Sequence, residues 1–166
     1  VTINRGTAAK GKTCVGSGNL LMESVHVAHD AFVGNDCIIG NGTKLAGEII
    51  IDDHAIISAN VLMHQFCRVG GYTMVGGGTR FSQDIPPYTI CAREPVAYCG
   101  LNLVGLRRRG FSNELIENIH NTYRIIYQGG VPLNEALQKV REEVPASPEI
   151  NYIIEFIENS KRGFVH

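Results

Sequence analysis

Residues 15–50 read VGSGNLLMESVHVAHDAFVGNDCIIGNGTKLAGEII, and an apolar residue returns at every sixth place. Val15, Leu21, Val27, Val33, Ile39 and Leu45 open a series that runs unbroken through Ile51, Ile57, Met63, Val69, Val75 and Phe81. A helix repeats every 3.6 residues and a strand every two, so neither accounts for this spacing. A chain that turns a corner every six residues does, with one side chain pointing inward per side. Internal repetition at a short fixed period marks a solenoid.

Flanking positions agree. The residue after each aliphatic is usually small, as at Gly16, Ala28, Gly34, Gly40, Ala46, Ser58, Gly70, Gly76 and Ser82. Four places after it come small or β-shaped residues such as Ala31, Cys37, Thr43, Ala55, Val61, Cys67, Thr73 and Thr79. The pair between carries turn chemistry, as in Ser17-Gly18, Asn35-Asp36, Asn41-Gly42 and Gly77-Gly78. Each hexad is read as a short strand plus a corner, and three hexads as one triangular coil. A sandwich of short strands would show period-two alternation and turn signals every 8–12 residues, which this chain lacks.

Coils are expected over residues 15–32, 33–50, 51–68 and 69–86. Thr7–Thr13 breaks the register and reads as a loop thrown out of a corner. Pro86-Pro87 is expected to stop the ladder, because proline cannot donate to it. From Ser112 the period becomes helical. Ile116, Ile119, Tyr123, Ile126 and Tyr127 form one stripe, Leu133, Ala136, Leu137, Val140 and Val144 a second. Ser147-Pro148 opens a third helix with Ile150, Ile153, Ile154 and Ile157 inside. The fold class is an all-β solenoid followed by a small α-helical C-terminal domain. Its divisions are the helix coils over 1–87, a connection over 88–111 and a helical domain over 112–166. Val1-Thr2-Ile3-Asn4 already reads as strand, so the chain is expected to start inside the solenoid.

Composition narrows the function classes. A formal net charge of −1 gives no field directed at nucleic acid or anionic membrane. No apolar run approaches the roughly 20 residues that span a bilayer. The five cysteines show no metal-type spacing. Reduced thiols and the lack of a signal peptide point to the cytoplasm. Neither a metal nor a cofactor is expected.

Residues eighteen apart stack in columns, about 4.8 Å per rung. His29, Gly47, Gln65 and Gln83 share one column, and Asp30, Glu48, Phe66 and Asp84 the next. His64 falls in the column before, and His26 lies three residues ahead of His29. His29 is the best general base, since imidazole titrates near neutrality. Asp30 could orient it, and the Gly47 amide could face an oxyanion. Spacing alone reads equally well as an exposed corner histidine beside a turn-forming aspartate. His64 occupies a place where the repeat wants a small residue, a flag for function or a tolerated bulky corner. Arg107-Arg108-Arg109 is a solvated run or a phosphate partner.

Together, His26-Val27-Ala28-His29-Asp30, Leu45-Ala46-Gly47, His64-Gln65-Phe66, Gln83 through Tyr88, Asn102, Gly105 through Phe111 and the ending Lys161-Arg162-Gly163-Phe164 resemble one family. It is that of the acyl-(acyl-carrier-protein)–UDP-N-acetylglucosamine O-acyltransferases, which open lipid A synthesis. The resemblance implies a left-handed parallel β-helix that assembles as a homotrimer with active sites between subunits. It implies transfer of an (R)-3-hydroxyacyl group from acyl carrier protein to the glucosamine 3-hydroxyl. His29 is then the base, Asp30 its partner and Gly47 the oxyanion donor. His26, Glu48, His64 and Gln65 would meet the sugar nucleotide or acyl donor. Asn102, Arg108 and Arg109 would hold pantetheine or phosphate groups, and Gly77 would set acyl length. Glu48 stands where the family has histidine, and the family's N-terminal coils, with a lysine and an aspartate, are absent. Alternatives within the superfamily are a sugar-nucleotide N-acyltransferase and a trimeric zinc hydratase using His26, His29 and His64. A non-catalytic structural solenoid is the third.

Overall fold

The hexads become two-residue strands joined by corners in the computed structural model, which describes all 166 residues, Val1–His166. In chain order the short strands are β1 (Thr2–Ile3), β2 (Cys14–Val15), β3 (Leu20–Leu21), β4 (His26–Val27), β5 (Phe32–Val33), β6 (Ile38–Ile39) and β7 (Lys44–Leu45). They continue as β8 (Ile50–Ile51), β9 (Ile56–Ile57), β10 (Leu62–Met63), β11 (Arg68–Val69), β12 (Met74–Val75) and β13 (Arg80–Phe81). Two longer strands follow, β14 (Thr89–Ala92) and β15 (Ala97–Leu101). Then come helices α1 (Leu103–Arg108), α2 (Asn113–Gln128), α3 (Leu133–Glu143) and α4 (Pro148–Glu158).

Every third strand falls in the same sheet. The three sheets run β1-β4-β7-β10-β13, β2-β5-β8-β11 and β3-β6-β9-β12-β14-β15. All pairings are parallel except β14 with β15. The architecture is a left-handed parallel β-helix followed by helices. Val27, Val33, Ile39, Leu45, Ile51, Ile57, Val69 and Val75 are fully buried in its core. Thr43 sits among them without cost, because its hydroxyl donates to the Ser58 carbonyl and accepts from the Val61 amide.

Two irregularities in the register matter. His26 pairs with Lys44, eighteen residues on, but Thr2 pairs with His26, twenty-four on. The six extra residues belong to the loop between β1 and β2. The second irregularity corrects an expectation: the ladder does not stop at Pro86-Pro87. The prolines occupy the corner just past Ile85, the last partner of the β2 sheet, so no further rung there calls for their amides, and β14 then pairs with β12, Ile90 against Met74. The Thr73 and Thr89 hydroxyls both donate to the Pro86 carbonyl at 2.7 Å and hold that corner.

Corners also depart from simple turn chemistry. The left-handed position is taken by Ser24, Asp30, Asp36, Glu48, His54, Asn60, Phe66 and Tyr72, all non-glycine with φ between 53° and 69°. Each such residue costs about 1–2 kcal/mol. A rung-to-rung bond from the same residue's amide offsets it, as from Glu48 to the His29 carbonyl at 3.0 Å and Phe66 to the Gly47 carbonyl at 3.2 Å.

The chain divides into two compact units, residues 1–102 with 160–165, and residues 103–159 with 166. In the first, the 160–165 segment returns to the last coil: Asp84 bridges to Phe164, and the Ser160 hydroxyl donates to Asp84 Oδ2 at 2.6 Å. In the second, α2 is capped by Ser112 and α4 by Ser147, each accepting from the amide three residues on. Ile116, Ile119, Ala136, Leu137, Val140, Ile150, Ile153 and Ile157 are buried there. No helix is long and apolar enough to cross a membrane.

Candidate active site

One corner of the triangle, between the β1 sheet and the β2 sheet, collects most of the candidate residues. From rung to rung it carries the 4–13 loop, then Ala28–Ala31, Ala46–Ile49 and His64–Cys67. The His29 side chain is 40% exposed there, while Asp30 beside it is 1% exposed. Their contact is His29 Nδ1 to Asp30 Oδ2 at 2.9 Å.

That contact decides the tautomer. A carboxylate only accepts hydrogen bonds, so Nδ1 carries the proton and Nε2 is left as a base. The ring lies over the next rung. A Cβ built on Gly47 would fall 2.5 Å from His29 Cε1 and 2.6 Å from Nε2, so glycine is required by the closeness of the ring. No backbone carbonyl of the ladder accepts from the Gly47 amide. The Cε1–Nε2 edge of the ring therefore packs against the Gly47 backbone, whose N–H no ladder carbonyl takes.

Asp30 is held by more than the histidine. Burial acts to raise its pKa, but bonds from His29, the Thr7 hydroxyl and the Thr7 amide outweigh it and hold the carboxyl below its ordinary value. The Thr7 amide donates to Oδ1 at 2.9 Å and its hydroxyl to Oδ2 at 2.7 Å. The Asp30 amide donates in turn to Thr13 Oγ1 at 2.9 Å. One rung up, Glu48 pairs with Lys10 Nζ at 2.9 Å. The hydrogen bond to Glu48 and then its charge push the Lys10 ammonium above its usual range. Thr7, Lys10 and Thr13 escape a reading by hexads. Their one sequence signal is that the register breaks at the corner directly beneath His29.

The other candidates fall as follows. His26 faces outward on β4 beside Thr2, Glu23 and Lys44. His64 is exposed, with Nδ1 3.1 Å from the Gln65 carbonyl, and borders an open cleft with Leu62, Arg80, Phe81, Ser82 and Glu94. Gln65 is half-buried one rung above Gly47. Asp84, in the same column as Asp30, is buried and accepts from the Arg68 amide and Ser160, a purely internal role. Asn102 is buried and donates to the Tyr72 carbonyl at 3.0 Å. Gly77 lies on a different corner of the triangle, stacked over Ala59. Arg108, in the last turn of α1, and Arg109 are exposed and belong to the second unit.

Comparison with known proteins gives consistent matches. A family described as UDP N-acetylglucosamine O-acyltransferase, domain 2, matches residues 84–165. The acyl-(acyl-carrier-protein)–UDP-N-acetylglucosamine O-acyltransferase of Aliivibrio salmonicida is 40% identical over 166 residues, 99% of this chain and 63% of its own length. The crystal structure of the UDP-N-acetylglucosamine acyltransferase from Bacteroides fragilis superposes with a TM-score of 0.94 at 71% identity, over 97% of this chain and 63% of that one. The UDP-N-acetylglucosamine acyltransferase from Campylobacter jejuni superposes with a TM-score of 0.90 at 30% identity, over 99% of this chain and 67% of that one. The chain thus spans just under two thirds of the length of the first two relatives.

Proposed function

Because the chain belongs to the UDP-N-acetylglucosamine O-acyltransferase family, we propose that it moves an (R)-3-hydroxyacyl chain from acyl carrier protein to the 3-hydroxyl of UDP-N-acetylglucosamine, a step of lipid A biosynthesis. The observation that carries the chemistry is the His29–Asp30 contact, with the Cε1–Nε2 edge of the ring against Gly47. The sugar hydroxyl gives its proton to His29 Nε2 as its oxygen bonds the thioester carbonyl carbon. The carbonyl oxygen becomes an oxyanion and accepts from the Gly47 N–H. Collapse breaks the C–S bond, and the imidazolium returns the proton to the departing sulfur. No acyl-enzyme is needed, since the one cysteine of this corner, Cys67, is buried in the core two rungs from His29, and the corner holds no serine.

Glu48, His64 and Gln65 lie at the same corner and His26 on the strand that leads into it, and all four are assigned to the sugar nucleotide and acyl donor. Asn102, Arg108 and Arg109 are assigned to pantetheine or phosphate groups, and Gly77 to acyl length. Gly77 sits on another corner, so a site that uses both it and His29 is best built from more than one copy of the chain. Outward apolar side chains support self-association: Leu20 is 50%, Phe32 48% and Ile50 42% exposed. The assembly is taken as a homotrimer, the state that the family resemblance implies. A cytoplasmic location fits five unpaired cysteines, because disulfides persist in oxidising compartments.

The test supplies the purified protein with 3-hydroxyacyl-acyl carrier protein and UDP-N-acetylglucosamine. An alkali-labile ester product is expected, which separates O- from N-acylation. His29→Ala should lower kcat by about 10²–10⁴ with little change in KM, since a general base acts in the transition state. Near-normal kcat in that variant, or a covalent acyl-protein, overturns the assignment.

A further inference from the structure

The 4–13 loop is the one feature at this corner that the hexad repeat does not require. Its length is inserted at the corner that carries His29, and it is tied to the ladder at two successive rungs. At the lower rung, Thr7 gives both its amide and its hydroxyl to the two Asp30 oxygens, at 2.9 and 2.7 Å. At the upper rung, Lys10 meets Glu48 at 2.9 Å. The loop is closed on itself, with the Gly11 amide donating to the Thr7 carbonyl at 2.7 Å. Its neck is tight: a Cβ on Gly6 would fall 2.1 Å from the Lys12 nitrogen. Thr7 is thus delivered by a short constrained loop rather than by a free tail.

The chemistry at Asp30 gives this geometry a consequence. Oδ2 receives both His29 Nδ1 and the Thr7 hydroxyl, while Oδ1 receives the Thr7 amide. With all three donors in place the carboxylate cannot rotate, and the oxygen offered to Nδ1 is always the same one. A carboxylate free to turn would let the imidazole ring follow it, and the alternative Nε2–H tautomer would lose its penalty. That tautomer has no base nitrogen toward Gly47. Orienting partners of this kind fix a histidine's tautomer and ring plane.

We propose that Thr7 is a positioning residue of the His29–Asp30 pair, with the Lys10–Glu48 ion pair holding its loop in place. The proposal rests on His29 being the general base, and it adds the loop to the machinery that keeps Nε2 unprotonated.

The test uses Thr7→Val, which keeps the amide and the shape but removes the hydroxyl, and Thr7→Ser, which restores it. In Thr7→Val, kcat should fall roughly 5- to 30-fold with KM for the sugar nucleotide within about twofold, and Thr7→Ser should recover most of the loss. Lys10→Met should give a smaller fall, and adding it to Thr7→Val should cost less than the two separate losses combined, because both act through one loop. Nitrogen-15 NMR of the His29 ring supplies a readout independent of turnover. The native protein should show Nδ1–H alone, and Thr7→Val a mixture with Nε2–H. A tautomer unchanged in Thr7→Val overturns the proposal whatever the rate does, and so does a Thr7→Ser variant as slow as Thr7→Val. If His29→Ala keeps full activity, the catalytic reading fails on its own, while the NMR measurement still decides whether Thr7 orients the ring.

Discussion

Gly47 shows how a single absent side chain serves two neighbours at once. Its φ is ordinary, so nothing in the turn demands glycine; the His29 ring does, at 2.5–2.6 Å from where a methyl would stand. Gly47→Ala should therefore leave the fold and its unfolding midpoint nearly unchanged while the ring is pushed off its position. A displacement of about 1 Å costs on the order of 10²-fold in rate, so kcat should fall roughly 10- to 100-fold. Steady-state kinetics beside a thermal melt separates the two effects. Asp30 gives a pH prediction at the same scale. Its folded pKa lies below its ordinary 3.8, so its bonds stabilise the fold fully above that value and are lost as pH falls through the lowered one. Hydrogen exchange of the Thr7 amide should stay slow at pH 5 and quicken only below the usual carboxylate range. Quickening near pH 5 would contradict the clasp.

At the scale of the element, a two-residue strand is too short to hold together by itself, and each one is held by its rungs above and below. Val33 on β5 is fully buried, stacked between Val15 and Ile51. Val33→Asp places a carboxylate there with no partner, at a cost of several kcal/mol, comparable to the stability of a whole domain. Loss of cooperative folding, followed by circular dichroism, is expected; a soluble protein with the native midpoint would refute it. The strands were legible because their inward residues recur at a spacing no other element shares. The prolines do not end the solenoid for a physical reason: they forbid a ladder amide, and they stand past the last rung of the β2 sheet, where no neighbour calls for one. The same logic divides the site. His29, Asp30 and Gly47 follow from column arithmetic, because stacking in register converts sequence distance into adjacency. Thr7 and Lys10 do not, since an irregular loop carries no such conversion and its contacts reach 23 and 38 residues along the chain.

Across the whole first unit, the solenoid's last coil is closed by residues far along the chain. Asp84 is buried, and its two oxygens are taken by the Arg68 amide at 2.7 Å and by Ser160, 76 residues away, at 2.6 Å. The Arg162 guanidinium donates to the Ser82 carbonyl at 2.7 Å, and the Val165 amide to the Asp84 carbonyl at 2.9 Å. Such a closure covers the edge that a stack of rungs would otherwise leave open. Ser160→Ala leaves a buried carboxyl oxygen short of its donor, which costs about 1–3 kcal/mol. The cysteines report where that loss is felt. Burial pushes the Cys67 thiol up to about 11 and the Cys91 thiol to about 12, and Cys37 is raised by burial as well. Cys99 is exposed. A thiol reagent at pH 8 should therefore modify Cys99 quickly in the native protein and leave those three untouched until coils open. In Ser160→Ala, Cys67 lies on the coil nearest the lost bond and should react sooner than in the native protein. Cys37 lies two rungs from the closure and should lag behind it, because each coil touches only its neighbours. Equal acceleration at Cys37 and Cys67 would mean that the coils open as one unit, and no acceleration at either would mean that the return segment does not hold the end of the solenoid.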